Sequence, residues 1–237
     1  RLLDELAANG LDDETAIIVA GDHGEEFQEH GHLAHYPKLY DELINVPLIV
    51  DVPGAAGRRI DRQVGLDAIP PTVTELLGVD APDSWSGTSL TSSVLDGDPP
   101  ADEPVVSVTV RDEEVTAQPI PRSLADGDLL VSVRDRDWTY IRNVDADTHE
   151  LYYRPDDPEQ QTNLAVDIDG SRDAGDREAE DRDAVDGSEA RRVVDRFRTL
   201  VDAHVELLRE GEANASGGET DAVDENLEAR LEALGYR

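Results

Sequence analysis

The run "TAIIVA", residues 15–20, breaks off into "GDHGEEFQEHGHLAH", residues 21–35, and this junction constrains the fold more than any other stretch of the chain. An unbroken apolar run of this length reads as a strand covered on both faces, the habit of a parallel sheet rather than of a half-solvated antiparallel one. Just upstream, Leu2, Leu3 and Leu6 share one helical face and Gly10 supplies a stop. Helix followed by strand predicts the αβ half of a wound α/β unit. In such sheets ligands gather beyond the carboxyl ends of the strands. The loop leaving this strand holds four of the chain's six histidines, together with Asp22, Glu25, Glu26 and Glu29.

Asp22 and His23 can direct a carboxylate oxygen and an imidazole nitrogen at one divalent cation if the chain turns tightly between Gly21 and Gly24. Oxygen ligands suit Ca²⁺, Mg²⁺ or Mn²⁺, while the imidazole tilts the choice toward Mn²⁺ or Zn²⁺. An exposed polar loop often collects such residues without any function. Flanking glycines, the preceding strand and the close succession of His30, His32 and His35 argue for a site here.

Beyond the loop, "VPLIVDVPG" (46–54) gives a second strand and "DAIPPTVTELLGV" (67–79) a helix with Asp67 as its cap and Gly78 as its end. From about Pro99 the pattern becomes short and alternating: "VVSVTV", "LLVSVRD" and "WTYIRNV" predict an antiparallel sheet. The expected organisation is an α/β portion over 1–98, a small antiparallel subdomain over 99–165, an acidic flexible linker over 166–189, a helix over 190–210, a second linker over 211–223 and a short terminal helix over 224–237. The 166–189 segment has too little apolar surface to offset its ordering entropy. Trp85, Trp138, Tyr152 and Tyr153 are expected to pack these parts together.

Charge excludes several partners. With 55 acidic against 21 basic residues the formal net charge is −34, and Lys38 is the single lysine. Nucleic acid and anionic lipid both need basic patches, so neither is expected as a partner. Acid spread over the whole chain suggests solubility in concentrated salt, hence a halophilic source, with the compartment open but leaning to the cytoplasm. The absence of Cys rules out a disulfide frame or a thiolate ligand within these residues. No apolar run reaches the ~20 residues of a membrane-spanning helix. The chain starts on Arg1 and contains no Met, so the expectation is the C-terminal part of a longer protein.

Three blocks in order resemble a known family. "TAIIVAGDHGEEFQEHGHLAH", with the following "LYDELINVPLIVDVPG", is similar to the signature of the sulfatases, within the alkaline-phosphatase-like superfamily of metal-dependent sulfo- and phosphohydrolases. "VGLDAIPPTVTELLGVDAPDSWSGTSL" (64–90) resembles the family's next segment, and "YIRNVDADTHELYYRPDDPEQQTNLA" (140–165) its closing strands. The terminal "LEALGYR" resembles a common family ending.

The resemblance implies an alkaline-phosphatase-like, mainly parallel sheet flanked by helices, with a small antiparallel-sheet subdomain. It implies Asp22 and His23 as metal ligands, with Ca²⁺ the family's usual ion and Mn²⁺, Mg²⁺ or Zn²⁺ as alternatives. His35 stands where the family often places a Lys that holds the ester anion, so it is the expected catalytic and substrate-binding residue. His32 is the alternative catalytic group and Lys38 a second substrate-binding candidate. Glu25 and Glu26 are expected to cap the next turn or to support the ligands from behind. Glu29 and His30 are expected to be structural or solvated. The implied reaction is hydrolysis of a small-molecule or carbohydrate sulfate ester, with a formylglycine nucleophile and further acidic ligands supplied by an N-terminal half. Many sulfatases carry Asn where this chain has His23, so the rival substrates are phosphodiesters and phosphonate monoesters. The rival of another class is a binding module that keeps the fold without catalysis.

Overall fold

The computed structural model describes residues 1–112, 123–168 and 186–217. Most of the expected acidic linker and the whole of the expected terminal helix lie outside them.

The short helix α1 (Leu2–Ala8) ends before Gly10, whose φ of +67° lets the chain reverse. Strand β1 (Ile17–Ala20) then runs into the His-rich loop, which folds as a two-stranded hairpin of β2 (Glu26–Phe27) and β3 (Leu33–Ala34). One turn of helix, α2 (Asp41–Ile44), leads to β4 (Leu48–Asp51).

β1 pairs with β4 antiparallel, Ile17 opposite Asp51 and Ala20 opposite Leu48, and no parallel pair occurs among the described residues. A parallel crossover needs a connection long enough to carry the chain back along the sheet. Here the hairpin and the single turn of α2 reverse the chain beside the end of β1. Within this chain Val19 is 54% and Ile49 61% exposed, and α1 buries none of its residues.

Helix α3 (Ile69–Leu76) is entered through a 3₁₀ turn over Leu66–Ala68, with prolines in its first turn, where a missing N–H is harmless. Asp67 lies in the 3₁₀ turn instead of capping the helix. Helix α4 (Thr91–Leu95) packs beside it through Thr72, whose hydroxyl accepts from the Leu90 N–H at 2.8 Å.

The core lies in the second half. Strands β5 (Val105–Arg111), β6 (Asp128–Arg134), β7 (Trp138–Asn143) and β8 (Thr148–Tyr153) form an antiparallel meander in sequence order. Alternation assigns its faces. Leu129, Val131, Val133, Trp138, Tyr140 and Leu151 meet the stripe Val194, Phe197, Val201 and Val205 of a long helix. The opposite face, Leu130, Ile141 and Tyr152, covers Leu39, Tyr40 and Ile44 around α2. One sheet therefore binds a helix on one side and the exit of the His-rich loop on the other.

A short helix, α5 (Ala165–Ile168), precedes that long helix, α6 (Gly187–Gly217). α6 runs past Glu210, through residues expected to form a linker. Glu212 gives this extension a tertiary anchor, its carboxylate accepting from the Leu124 N–H at 2.8 Å.

Candidate functional site

Steric fit explains Gly24. A Cβ there would lie 1.9 Å from the Glu42 carbonyl oxygen, because the Gly24 N–H donates to Leu43 O at 2.8 Å. The strand exit is thus pressed flush against α2, and close approach rather than unusual backbone torsion requires the glycine. Its neighbour Gly21 donates to Pro47 O at 3.1 Å and ties the start of the loop to the entry of β4.

Between these ties Asp22 and His23 project into solvent. The Asp22 Oδ1 accepts from the His23 N–H at 3.0 Å, and the His23 Nδ1 lies 2.8 Å from Gly24 O, which makes Nδ1 the protonated nitrogen in the neutral ring. Two atoms remain free, Asp22 Oδ2 and His23 Nε2, 3.9 Å apart. A divalent cation about 2.0–2.5 Å from each atom fits between them. The Asp22 carboxyl is held below its ordinary pKa by the His23 and Asp22 backbone N–H groups and by the nearby imidazole. The His23 ring is raised by its bond to Gly24 O and by Asp22 and Glu25, against a smaller opposing effect of burial. A carboxylate oxygen and an imidazole nitrogen at this spacing are donors that a divalent cation accepts.

His35 joins this pair. Its ring centroid lies 4.4 Å from that of His23, and its Nδ1 meets Glu25 Oε1 at 2.8 Å. One potential ligand atom each from His23, Glu25 and His35 all fall within 4.8 Å of one another. Glu25, expected as a supporting group, thus stands as close to this cluster as the histidines do. Asp22, His23 and His35 line one continuous cleft of about 1810 Å³.

Glu26, Lys38, His30 and His32 serve a different purpose. Glu26 is fully buried, and its carboxylate accepts from the backbone N–H of His30 (3.0 Å) and of His32 (2.8 Å) and from Lys38 Nζ (2.8 and 3.1 Å). Burial alone would raise its pKa, but Lys38 and the two N–H donors outweigh it and the net shift is downward. The Lys38 ammonium also reaches His30 O (2.9 Å) and His32 Nδ1 (2.8 Å), so its three donors are committed inside the loop. Lys38, expected as a second substrate-binding candidate, is placed inside the loop, where the buried Glu26 engages its charge. His32 is turned toward Lys38 and does not line the cleft, so of the two candidate histidines His35 is the one placed beside the Asp22/His23 pair.

His30 anchors the loop to the distant sheet. Its ring stacks on Tyr40 at 3.6 Å, Nδ1 meets Glu42 Oε1 at 2.6 Å and Nε2 meets the Gln160 carbonyl at 3.0 Å. Gln160 Oε1 in turn accepts from the Asp41 N–H at 2.7 Å. The Tyr40 and Tyr152 hydroxyls share Glu150 Oε2, and burial together with that carboxylate raises both phenols. Asp41 is clamped by Arg134 through two 3.0 Å bonds. Sequence reasoning did not find Gln160, Glu150 or Arg134, because each lies about a hundred residues or more from its partner and local spacing carries no trace of the contact.

Comparisons with known proteins point to one family. Residues 1–79 match the family described as Sulfatase. A Delta 4,5-hexuronate-2-O-sulfatase of Bacteroides thetaiotaomicron is 28% identical over 159 residues, 65% of this chain and 31% of that protein. The arylsulfatase K of Homo sapiens is 28% identical over 173 residues, 68% of this chain and 30% of that one. Among solved structures, the phosphonate monoester hydrolase of Agrobacterium radiobacter superposes with a TM-score of 0.60 at 26% identity, covering 72% of this chain and 35% of that one. The chain spans about a third of the length of the curated relatives it matches.

Proposed function

We propose, from the match of residues 1–79 to the family described as Sulfatase and from the likeness to the relatives above, that this chain is part of a sulfatase with an alkaline-phosphatase-like fold and supplies the metal-holding and leaving-group side of a site that hydrolyses sulfate esters. The supporting observation is that Asp22 Oδ2 and His23 Nε2 stand 3.9 Å apart, with His35 beside them on the same cleft.

A bound divalent cation would neutralise charge on the ester oxygens. Ca²⁺ is the ion proposed first, with Mn²⁺, Mg²⁺ or Zn²⁺ as alternatives. The residues of this chain prepare the site for it. Asp22 supplies a permanent negative charge, and the bond from His23 to Gly24 O fixes which imidazole nitrogen remains available. Glu25 accepts from the His35 Nδ1–H, so that in the protonated ring the Nε2–H is left to donate to a sulfuryl oxygen or to hand its proton to the departing alcohol, which returns the ring to neutral imidazole. The nucleophile is proposed to come from a further part of the protein, consistent with the share of the relatives that this chain spans. The proposed substrate is a carbohydrate or small-molecule sulfate ester.

A second reading, hydrolysis of phosphodiesters or phosphonate monoesters, is favoured by the likeness to the Agrobacterium enzyme. Assays of the whole protein on matched aryl sulfate and aryl phosphodiester substrates separate the two. The sulfatase reading requires the larger kcat/KM on the sulfate; a much larger value on the phosphodiester replaces it with the second, and no turnover of either leaves a binding module.

A further inference from the structure

Glu25 and His35 face each other across the mouth of the β2–β3 hairpin. Its register pairs Phe27 with Leu33 and Glu26 with Ala34, so one step further out Glu25 stands opposite His35. Their side chains meet there, Glu25 Oε1 lying 2.8 Å from His35 Nδ1. The tie from the Gly24 N–H to Leu43 O holds the preceding residue at the same mouth, and the His23 ring comes within 4.4 Å of the His35 ring, centroid to centroid. One ligand atom from each of the three lies within 4.8 Å of the others. All three side chains are close to half exposed, so an ion in water reaches them without any opening of the fold.

This donor set differs in kind from the Asp22/His23 pair. Two imidazole nitrogens and one carboxylate oxygen suit a borderline-soft ion such as Zn²⁺, whereas Ca²⁺ asks for about six to eight oxygens. Ligand atoms around a tetrahedral zinc ion stand roughly 3.3 Å apart, so the three need to close by about 1.5 Å at most, with water in the fourth position. Exposed side chains can make that adjustment by rotating, and the proton now shared by Glu25 and His35 is the one that the ion replaces. The other two histidines of the loop are engaged by Glu42 and Lys38 and take no part. His23, however, belongs to both sets. Its Nδ1 is bonded to Gly24 O, which leaves the lone pair of Nε2, 3.9 Å from Asp22 Oδ2. One lone pair serves one ion at a time, so the two sets exclude each other.

We infer that His23, Glu25 and His35 form a separate transition-metal site, which binds Zn²⁺ in competition with the ion of the Asp22/His23 pair and so switches the ester site off. Zinc there withdraws His23 from the pair, and a His35 ring committed to a metal no longer carries the proton that the departing alcohol needs. This inhibitory consequence rests on the sulfatase reading, whereas the site itself can be tested without any ester. Zn²⁺ and Ca²⁺ are titrated calorimetrically, each alone, into the whole protein in about 1 M NaCl, which screens weak binding by the scattered surface acids. The variants are Glu25→Gln and His35→Gln, each checked by thermal melting, with His32→Gln as the control from the same loop.

Glu25→Gln and His35→Gln are each expected to weaken zinc binding about tenfold or more, since even the loss of a ligand's supporting partner costs that much. Both should keep calcium affinity within about twofold, and His32→Gln should leave zinc binding unchanged. In the wild type, added Ca²⁺ should raise the zinc concentration needed for half-saturation, and Zn²⁺ should inhibit ester turnover with the same dependence on calcium. Zinc binding unaffected by both variants, weakened equally by His32→Gln, or indifferent to calcium overturns the inference even if the protein is a sulfatase. The expected zinc pattern in a protein that turns over no sulfate ester keeps the metal site and sinks the sulfatase reading.

Discussion

Two acids four positions apart are used in opposite ways. Asp22 is exposed and leaves one oxygen free, whereas Glu26 is buried and saturated by four donor contacts. Asp22→Ala is accordingly expected to abolish tight metal binding with little loss of stability; elemental analysis of the purified variant checks it, and unchanged metal content refutes the ligand assignment. Glu26→Gln leaves the Lys38 ammonium buried without its counter-charge and is expected to cost about 3–5 kcal/mol in denaturant unfolding. Because folding lowers the pKa of Glu26, its contribution is complete above the unfolded value of about 4.3 and fades as pH falls from there through the folded value. The wild type should therefore lose stability in mild acid more steeply than Glu26→Gln, and parallel acid titrations settle that. The placement of Asp22 and His23 at the exit of a strand was legible in the sequence because glycines and the preceding apolar run frame them, whereas His35 entered through the family resemblance. The Glu26–Lys38 pair was not, because nothing in "EEF" distinguishes the glutamate that turns inward from its neighbour.

The hairpin, α2 and the meander act as one assembly. Gly24→Ala would drive a methyl group into the Glu42 carbonyl and push α2 off the loop. The expectation is a destabilisation of about 1–3 kcal/mol, as for other overpacked sites, together with weakened metal affinity. A variant with wild-type melting and wild-type metal affinity would show that the close approach does not matter. Strands β5 to β7 could be read from alternation because one face of the sheet meets α6 and the other α2, whereas β8 entered through the family resemblance. The pairing of β1 could not, since an apolar run reports burial potential and not the direction of its neighbour. The length of α6 was missed for a related reason: composition around Gly211 reads as linker, while the contact from Glu212 to Leu124 is invisible along the chain.

At the scale of the whole molecule, the formal charge of −34 leaves few cations to offset the acids, and Lys38, Arg134, Arg142 and Arg154 are engaged in the pairs around Glu26, Asp41 and Asp202. Raising KCl from about 0.1 M to about 1 M shortens the screening length from ~10 Å to ~3 Å and should relieve repulsion between exposed acids more than it weakens the buried pairs. The melting temperature is expected to rise over that range; a flat or falling curve would mean that the acidic surface is not a salt adaptation.

The bond from His30 to Gln160 joins residues 130 positions apart. A ribosome releases the histidine motif long before it releases the acceptor on which that ring rests. Whatever order the rest of the chain adopts during synthesis, the motif can reach its final arrangement only after β8 has been made, so the reactive corner of this protein is among the last parts to mature.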